Sequence, residues 1–216
     1  MAITLATNTI IAIASTYAAS VAMTALTNAA EAVATLAAGH GCVVGDYVEI
    51  TSGWDRLNGR LARVKAVATN DVTLEGIATT STTMYPAGTG TGSVRRITAW
   101  TNLSQIGAGI SVSGGDQQFA DVTTIADATA KQIPTVRSAT SVTLPTFDDP
   151  SLAWVATVRT ASETATATGV RMSFPNGSKL VANAYWSLQE VPTIEDSTLR
   201  GSISLSFTSN PTRYAT

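Results

Sequence analysis

From Leu199 to Thr208 the chain alternates without a break. Leu199, Gly201, Ile203, Leu205 and Phe207 fall on one side, and Arg200, Ser202, Ser204, Ser206 and Thr208 on the other. A period of two is that of a β-strand, whose successive side chains point to opposite faces. One face suits an apolar core and the other is a row of small hydroxyls, so this part of the chain must join a sheet with one hidden side. The pattern recurs upstream. Val64 and Ala66 alternate with Arg63 and Lys65, Val72-Thr73-Leu74-Glu75 alternates again, and Val136, Val142 and Leu144 alternate with Arg137 and Thr143 over a strand expected from Thr135 to Leu144. Gly45-Asp46, Asn58-Gly59 and Asn70-Asp71 punctuate these runs. Short alternating segments between turn residues predict a mainly β fold, and Asn58-Gly59 predicts a two-residue hairpin because both positions tolerate positive φ.

The Ala-rich segment 18–38 tests that prediction, since Ala favours helix intrinsically. Val21, Met23 and Ala25, then Val33, Thr35 and Ala37, fall at every second position, while Thr and Asn interrupt any helical stripe, so strands are expected. One helix is expected, at about 150–162. Asp149 suits an N-cap, Pro150 suits the first helical position, and Leu152, Val155, Ala156 and Val158 supply an apolar stripe. Thr98 to Leu103 reads as a strand, and residues 104–134, rich in Gly and weak in periodicity, read as a long loop.

The chain has 216 residues, enough to bury a core without staples. Thr (35) and Ala (34) dominate, charged residues are 13% and the formal net charge is −2, so there is no surplus of Lys and Arg to neutralise phosphates. Residues 1–98 carry six Lys/Arg against six Asp/Glu, and residues 99–216 carry seven against nine, so neither part offers a basic face. The single Cys42 excludes an internal disulfide. Residues 2–30 are uncharged, but recurring Thr, Ser and Asn break them well short of the ~20 apolar residues of a membrane span. The start, Met1-Ala2-Ile3-Thr4, lacks the positive region of a signal peptide, so the protein is expected to stay where it is made.

Candidates for chemistry are few. His40 in Gly-His-Gly reads as a turn residue, and with Cys42 it gives too few ligands for zinc. No Gly-x-Ser-x-Gly elbow is present. Asp148-Asp149 reads as helix capping, and Glu195-Asp196 as a loop pair, either solvated or at an interface. Gly88-Thr89-Gly90-Thr91-Gly92 lacks the Lys of a P-loop, and Arg95-Arg96 is too small a cluster for a nucleic-acid patch. Of Trp54, Trp100, Trp154 and Trp186, only Trp54 and Trp100 fall where an exposed sugar-binding platform is conceivable. No enzyme, cofactor or metal follows from this inventory.

The stretch Gly169-Val170-Arg171-Met172-Ser173-Phe174-Pro175-Asn176-Gly177-Ser178-Lys179-Leu180, then Trp186-Ser187-Leu188 and the closing strand from Leu199 to Phe207, resembles the C-terminal part of the tail tube proteins of long-tailed, non-contractile bacteriophages. In that family a helix precedes a hairpin entered at Phe-Pro-Asn-Gly. A second resemblance covers about residues 21–98. Gly39-His40-Gly41, Gly45-Asp46-Tyr47-Val48, Leu57-Asn58-Gly59-Arg60, Val72-Thr73-Leu74 and the final Val94 look like a small β-barrel inserted in phage structural proteins, itself similar to the first catalytic-cysteine half-domain of ubiquitin-activating enzymes.

Together the resemblances imply a tail tube β-sandwich with one helix at 99–216, a small β-barrel at 21–98 on the tube exterior, and an arm or first strand at 1–20. They imply a homo-oligomer of stacked hexameric rings, assembled in the bacterial host cytoplasm and residing in the virion. Its partners would be the tape-measure protein, tail-end proteins and double-stranded DNA passing through, with no membrane. Residues 104–134 and the N-terminal arm would join rings. Arg200, Ser202, Ser204 and Ser206 would face the lumen, small polar groups letting DNA slide while Arg200 sits near a rim. The rival readings are a tail terminator, a head decoration protein, or a carbohydrate- or receptor-binding tail module.

Overall fold

In a computed structural model, which describes residues 8–195 and 197–215, half-buried alternating segments become strands and a single apolar stripe becomes the helix. The strands are β1 (Ile10–Tyr17), β2 (Val21–Leu26), β3 (Val33–Leu36), β4 (Tyr47–Ser52), β5 (Arg60–Ala68), β6 (Asp71–Glu75), β7 (Gly92–Asn102), β8 (Ser111–Ser113), β9 (Gln117–Asp121), β10 (Gln132–Arg137) and β11 (Ser141–Phe147). After helix α1 (Ala153–Glu163) come β12 (Thr168–Ser173), β13 (Lys179–Leu188), β14 (Thr193–Glu195), β15 (Thr198–Phe207) and β16 (Thr212–Tyr214).

Strands β2-β3-β6-β5-β4-β7 follow one another, and β7 closes back onto β2, giving a six-stranded antiparallel barrel. Closure removes the exposed edges that short strands otherwise present. Its interior is filled by Met23, Leu36, Ile50, Trp54, Leu57 and Leu74 among others. The path continues β7-β1-β12-β13-β15-β11-β8 as a second, open sheet. The apolar side of that sheet meets Trp154, Val155, Val158 and Ala161 of α1 and buries Ile13, Val170, Trp186, Ile203 and Leu205.

Residues 10–17 thus form the first strand, seated between β7 and β12, and residues 1–7 of the expected arm lie outside the described residues. The hairpin at Phe174 is as expected: β12 and β13 pair from Thr168↔Ala184 to Ser173↔Lys179, and Phe174 and Ser178 close the turn at 2.9 Å. The chain then runs past β15 into β16, a short strand that the sequence did not suggest, which pairs with the start of β13.

Other expectations shift for local reasons. Asn58-Gly59 does not make a two-residue hairpin. It ends a longer connection from Gly53, because Trp54 is drawn into the barrel core. The apolar alternation of β5 breaks at a bulge between Val64 and Ala66, which leaves Ala66 exposed and turns Val67 partly inward. In β3 the buried positions are Ala34 and Leu36 rather than Val33 and Thr35, so the Ala face is the core face where strands pack closely. The helix begins at Ala153 with Leu152 as an N-cap that makes no side-chain bond. Asp149 instead accepts bonds from the Ser151 N–H at 3.0 Å and the Ser151 hydroxyl at 2.6 Å, a turn preceding the helix. Residues 104–134 contain β8 and β9, and the expected strand from Thr135 to Leu144 is divided into β10 and β11 by a turn at Ser138–Thr140.

Barrel and sheet meet through a third apolar cluster of Ala14, Tyr47, Leu61, Ile97, Val181 and Tyr214. Gly169 lies beneath it: a Cβ there would stand 3.0 Å from Leu61 Cδ1 and 3.2 Å from Ile97 Cδ1, so any larger residue would press these side chains back. Two tyrosines tie the joint. The Gly169 N–H donates to the Tyr17 hydroxyl at 2.9 Å, and the Arg63 N–H donates to the Tyr214 hydroxyl at 2.8 Å. Burial pushes both phenols up to about 12. Arg63 also holds Glu75, with Nη2–Oε1 at 2.6 Å, and this hydrogen bond keeps the Glu75 carboxyl below its usual range.

Replacing Tyr214 with Phe orphans a part-buried Arg63 N–H, so chemical denaturation of Tyr214→Phe should show a loss of about 1–3 kcal/mol. Glu75 has a lower pKa folded than unfolded. Its contribution is therefore present above the unfolded value of about 4.3 and is lost as pH falls through the folded one. Glu75→Gln should flatten the acid limb of a stability–pH curve below about pH 4.3 relative to the parent.

Candidate functional site

The residues that sequence reasoning placed in a row lie on the face of the open sheet away from α1. Ser204 pairs with Thr143 on one side and Ser187 on the other, while Ser206 pairs with Ser141 and Tyr185. The hydroxyls thus form a field three strands wide across β11, β15 and β13, of which sequence alone showed the β15 member. Ser187, Ser204 and Ser206 are exposed. Ser202 donates to Gln189 Oε1 at 2.8 Å. Arg200, at the far end, is set over the Phe147 ring at 4.9 Å and lies 3.6 Å from the Glu195 carboxylate. Of the acidic pair noted in the sequence, Asp196 lies outside the described residues. The hydroxyls of the field offer phosphates neither a lysine nor an arginine, so a polyanion meets hydration sites but no fixed counter-charge.

The barrel stands on this same face. Asn183 donates from Nδ2 to the Gly59 carbonyl at 3.1 Å, and Ser209 donates to that carbonyl at 3.3 Å. Asn183 lies on the face of β13 that carries Tyr185 and Ser187. The field therefore begins where the barrel's footprint ends and runs from Ser206 towards Arg200. An exterior barrel and a lumenal row cannot both follow from opposite sides of one sheet.

Other candidates resolve into structure. The glycine loop 88–92 lies against Trp54. A Cβ at Gly90 would come within 2.7 Å of the indole, and Trp54 Nε1 donates to the Pro86 carbonyl and the Thr89 hydroxyl. It is a lid on the barrel core, not a phosphate cradle. His40 donates from Nε2 to the Thr69 carbonyl at 2.9 Å and accepts the Cys42 N–H at Nδ1, which fixes a turn. Cys42 is buried, and desolvation raises its thiol pKa. Arg95 pairs with Glu49 and Arg96 with Asp46. Trp54, Trp154 and Trp186 are buried, and Trp100 is covered by Tyr47 and the Arg171 guanidinium, so none offers an open sugar platform. Among the described residues no group of three or more His, Cys, Asp or Glu is placed to hold a metal, and no helix is long and apolar enough to cross a membrane.

A surface the sequence left largely as loop, up to residue 134, is β9–β10. These strands pair only with each other, and every residue of β10 is exposed. The open edge of the large sheet is β8, three exposed residues long.

A family model described as phage tail tube protein, TTP, matches residues 52–216. No curated protein matches the chain. Among the solved structures similar to part of the chain are two from an anti-feeding prophage. One is from the cryo-EM structure of the anti-feeding prophage baseplate, 8% identical, covering 55% of this chain and 86% of that one, with a TM-score of 0.40. The other is from the anti-feeding prophage tube-terminating cap, 16% identical, covering 49% and 79%, with a TM-score of 0.34.

The sidedness of β15 is directly testable. Ile203→Ala, in the core, should cost about 2–5 kcal/mol in chemical denaturation, whereas Ser204→Lys, one residue away on the exposed face, should stay within about 0.5 kcal/mol of the parent.

Proposed function

The chain belongs to the phage tail tube protein family, and from that premise we propose that copies of it close into six-membered rings that stack as the tail tube of a long-tailed, non-contractile phage. Membership makes it a structural component of the phage tail and of the virion. In the proposed assembly, formed in the host cytoplasm, the tube holds the tape-measure protein and later passes double-stranded DNA, while tail-end proteins cap it. The units of the chain would be the small barrel at 21–98, carried as an accessory module, and a tube-forming unit made of β1 with residues 99–216.

The observation that carries the reading is the hydroxyl field. It is three strands wide, exposed at Ser187, Ser204 and Ser206 and half-exposed at Ser141, Thr143 and Ser202, and its serines and threonine bring no cation. Arg200, Ser202, Ser204 and Ser206 would line the channel, with Arg200 towards one rim. A sliding polyanion needs a wet surface with few phosphate-binding side chains, and from Ser206 to Ser202 this row supplies one, with Arg200 its single cation. Because the barrel stands on the same face beyond Ser206, a lumenal field requires the barrel to lie off the end of the strands, at a ring's rim rather than behind its wall. The β9–β10 ribbon would serve as a contact between rings.

Negative-stain electron microscopy over a concentration series tests the assembly. Hollow tubes or stacked rings are expected. Closed single rings that never stack would replace this reading with that of a terminator, and knobs on the wall opposite the channel would remove the field from the lumen. In assembled phage, Ser204→Lys should leave tubes intact and slow DNA ejection, and ejection at the parental rate would refute the lumenal assignment.

A further inference from the structure

All thirteen lysines and arginines lie among the described residues, and seven of them pair with a carboxylate there. Of the other six, Arg171, Lys179 and Arg213 stand together at one end of the open sheet. Lys179 lies opposite Ser173 and Tyr214, Arg171 opposite Val181, and Arg213 opposite Leu180. Arg171 and Lys179 therefore project from the barrel-bearing face, and Arg213 from the other. Arg171 is half-buried against the Trp100 ring at 4.7 Å. Arg213 is exposed over the Phe174 ring at 5.0 Å, and its Nη2 donates to Ser178 Oγ at 3.4 Å. Glu75, whose carbonyl accepts from the Tyr214 hydroxyl at 3.3 Å, is already held by Arg63. Three positive charges thus share one end of a sheet in a chain whose formal net charge is −2.

The opposite end has the opposite sign. From Lys179 to Leu188, β13 spans about 30 Å at about 3.3 Å per residue. Beyond Leu188, β11 ends, β14 lies and β15 starts. The Asp148 N–H donates to the Leu199 carbonyl at 3.0 Å, which places the Asp148-Asp149 pair at this end. Asp148, Asp149, Glu190 and Glu195 stand here against two guanidinia, with Arg159 on Glu190 and Arg200 on Glu195. Asp148, Glu190 and Glu195 are exposed. Hydrogen bonds from Ser151 hold the Asp149 carboxyl below its usual range. The tube-forming unit is therefore electrically polar along its strands.

We propose that the acidic end of one copy seats against the basic end of the next, and that this contact sets the direction of stacking. It rests on the tail tube reading for the presence of stacked copies, and on this chain's charges for the fit. Like charges gathered without carboxylates between them repel one another in a free copy, and the opposite end of a second copy relieves that repulsion. Because the two ends differ, the contact is heterologous. It does not close on itself in a pair and repeats from copy to copy with one polarity. Such a stack ends in a basic face on one side and an acidic face on the other, so a capping protein must match the sign of the end it meets.

Charge reversal tests the contact. Lys179→Glu/Arg213→Glu makes both ends acidic, and Asp148→Lys/Glu195→Lys makes both ends basic. Each should raise the concentration for half-assembly by about tenfold or more, with monomer unfolding close to the parent's. One chain carrying all four substitutions has complementary ends again and should assemble near the parental concentration. Raising salt from about 0.1 M to about 1 M shortens the Debye length from about 10 Å to about 3 Å and should weaken parental assembly. Parental stacks left unchanged by either reversal or by salt would overturn the contact and leave the tail tube reading intact. A fourfold variant that folds but does not recover would overturn it too. Head-to-tail chains that recover in the fourfold variant without ever forming rings would keep the contact and remove the tube. Where a variant fails to fold, carbodiimide coupling of the concentrated parent decides. Lys179 should join Asp148, Asp149, Glu190 or Glu195 of another copy, since its own lie at the far end of the sheet, and no such linkage would overturn the proposal. Loss of duplex DNA binding in Lys179→Glu/Arg213→Glu with assembly unchanged would give the basic end to DNA and overturn it as well.

Discussion

The sharing of strand β7 sets the geometry of the whole molecule. Its first half, Gly92 to Arg96, is bonded between β2 and β4 inside the barrel, and its second half, Ile97 to Asn102, is bonded to β1 in the open sheet. A continuous strand cannot satisfy two ladders unless both keep their orientation to it, so the barrel is not free to swing on a linker. The apolar joint around Leu61, Ile97 and Val181 then locks the angle, and the absence of a side chain at Gly169 lets the two layers touch. The position of the barrel is therefore fixed by backbone bonding first and by packing second.

That constraint divides the open sheet into territories. On the apolar side, α1 covers the middle with Trp154, Val155 and Val158, and does not reach the floor around Met172, Leu180 and Phe207. On the polar side, the barrel covers the beginning of β13 through Asn183, and the hydroxyl field occupies the rest. Each strand of the sheet thus serves two purposes along its length. β13 is packed on both faces at Val181 and Ala182, and wet on one face at Ser187.

How much of this was legible in the sequence follows from how local each determinant is. The alternation of β15, the turn at Pro175-Asn176-Gly177 and the apolar stripe of α1 are written in consecutive residues, and each appears close to where it was expected. The partners of Ser204 are not, because the pairing of β15 with both β11 and β13 brings together residues 143, 187 and 204 from distant parts of the chain. The start of the helix was missed because Asp149 has a local alternative, bonding Ser151 in a turn, that competes with capping. The two-residue hairpin expected at Asn58-Gly59 does not form because burying the Trp54 indole outweighs the preference of that dipeptide for the tightest turn. The strand β9 left no clear period, since with its faces exposed or half-buried no side had to be apolar, while only the end of β10 lay within the alternation expected from Thr135.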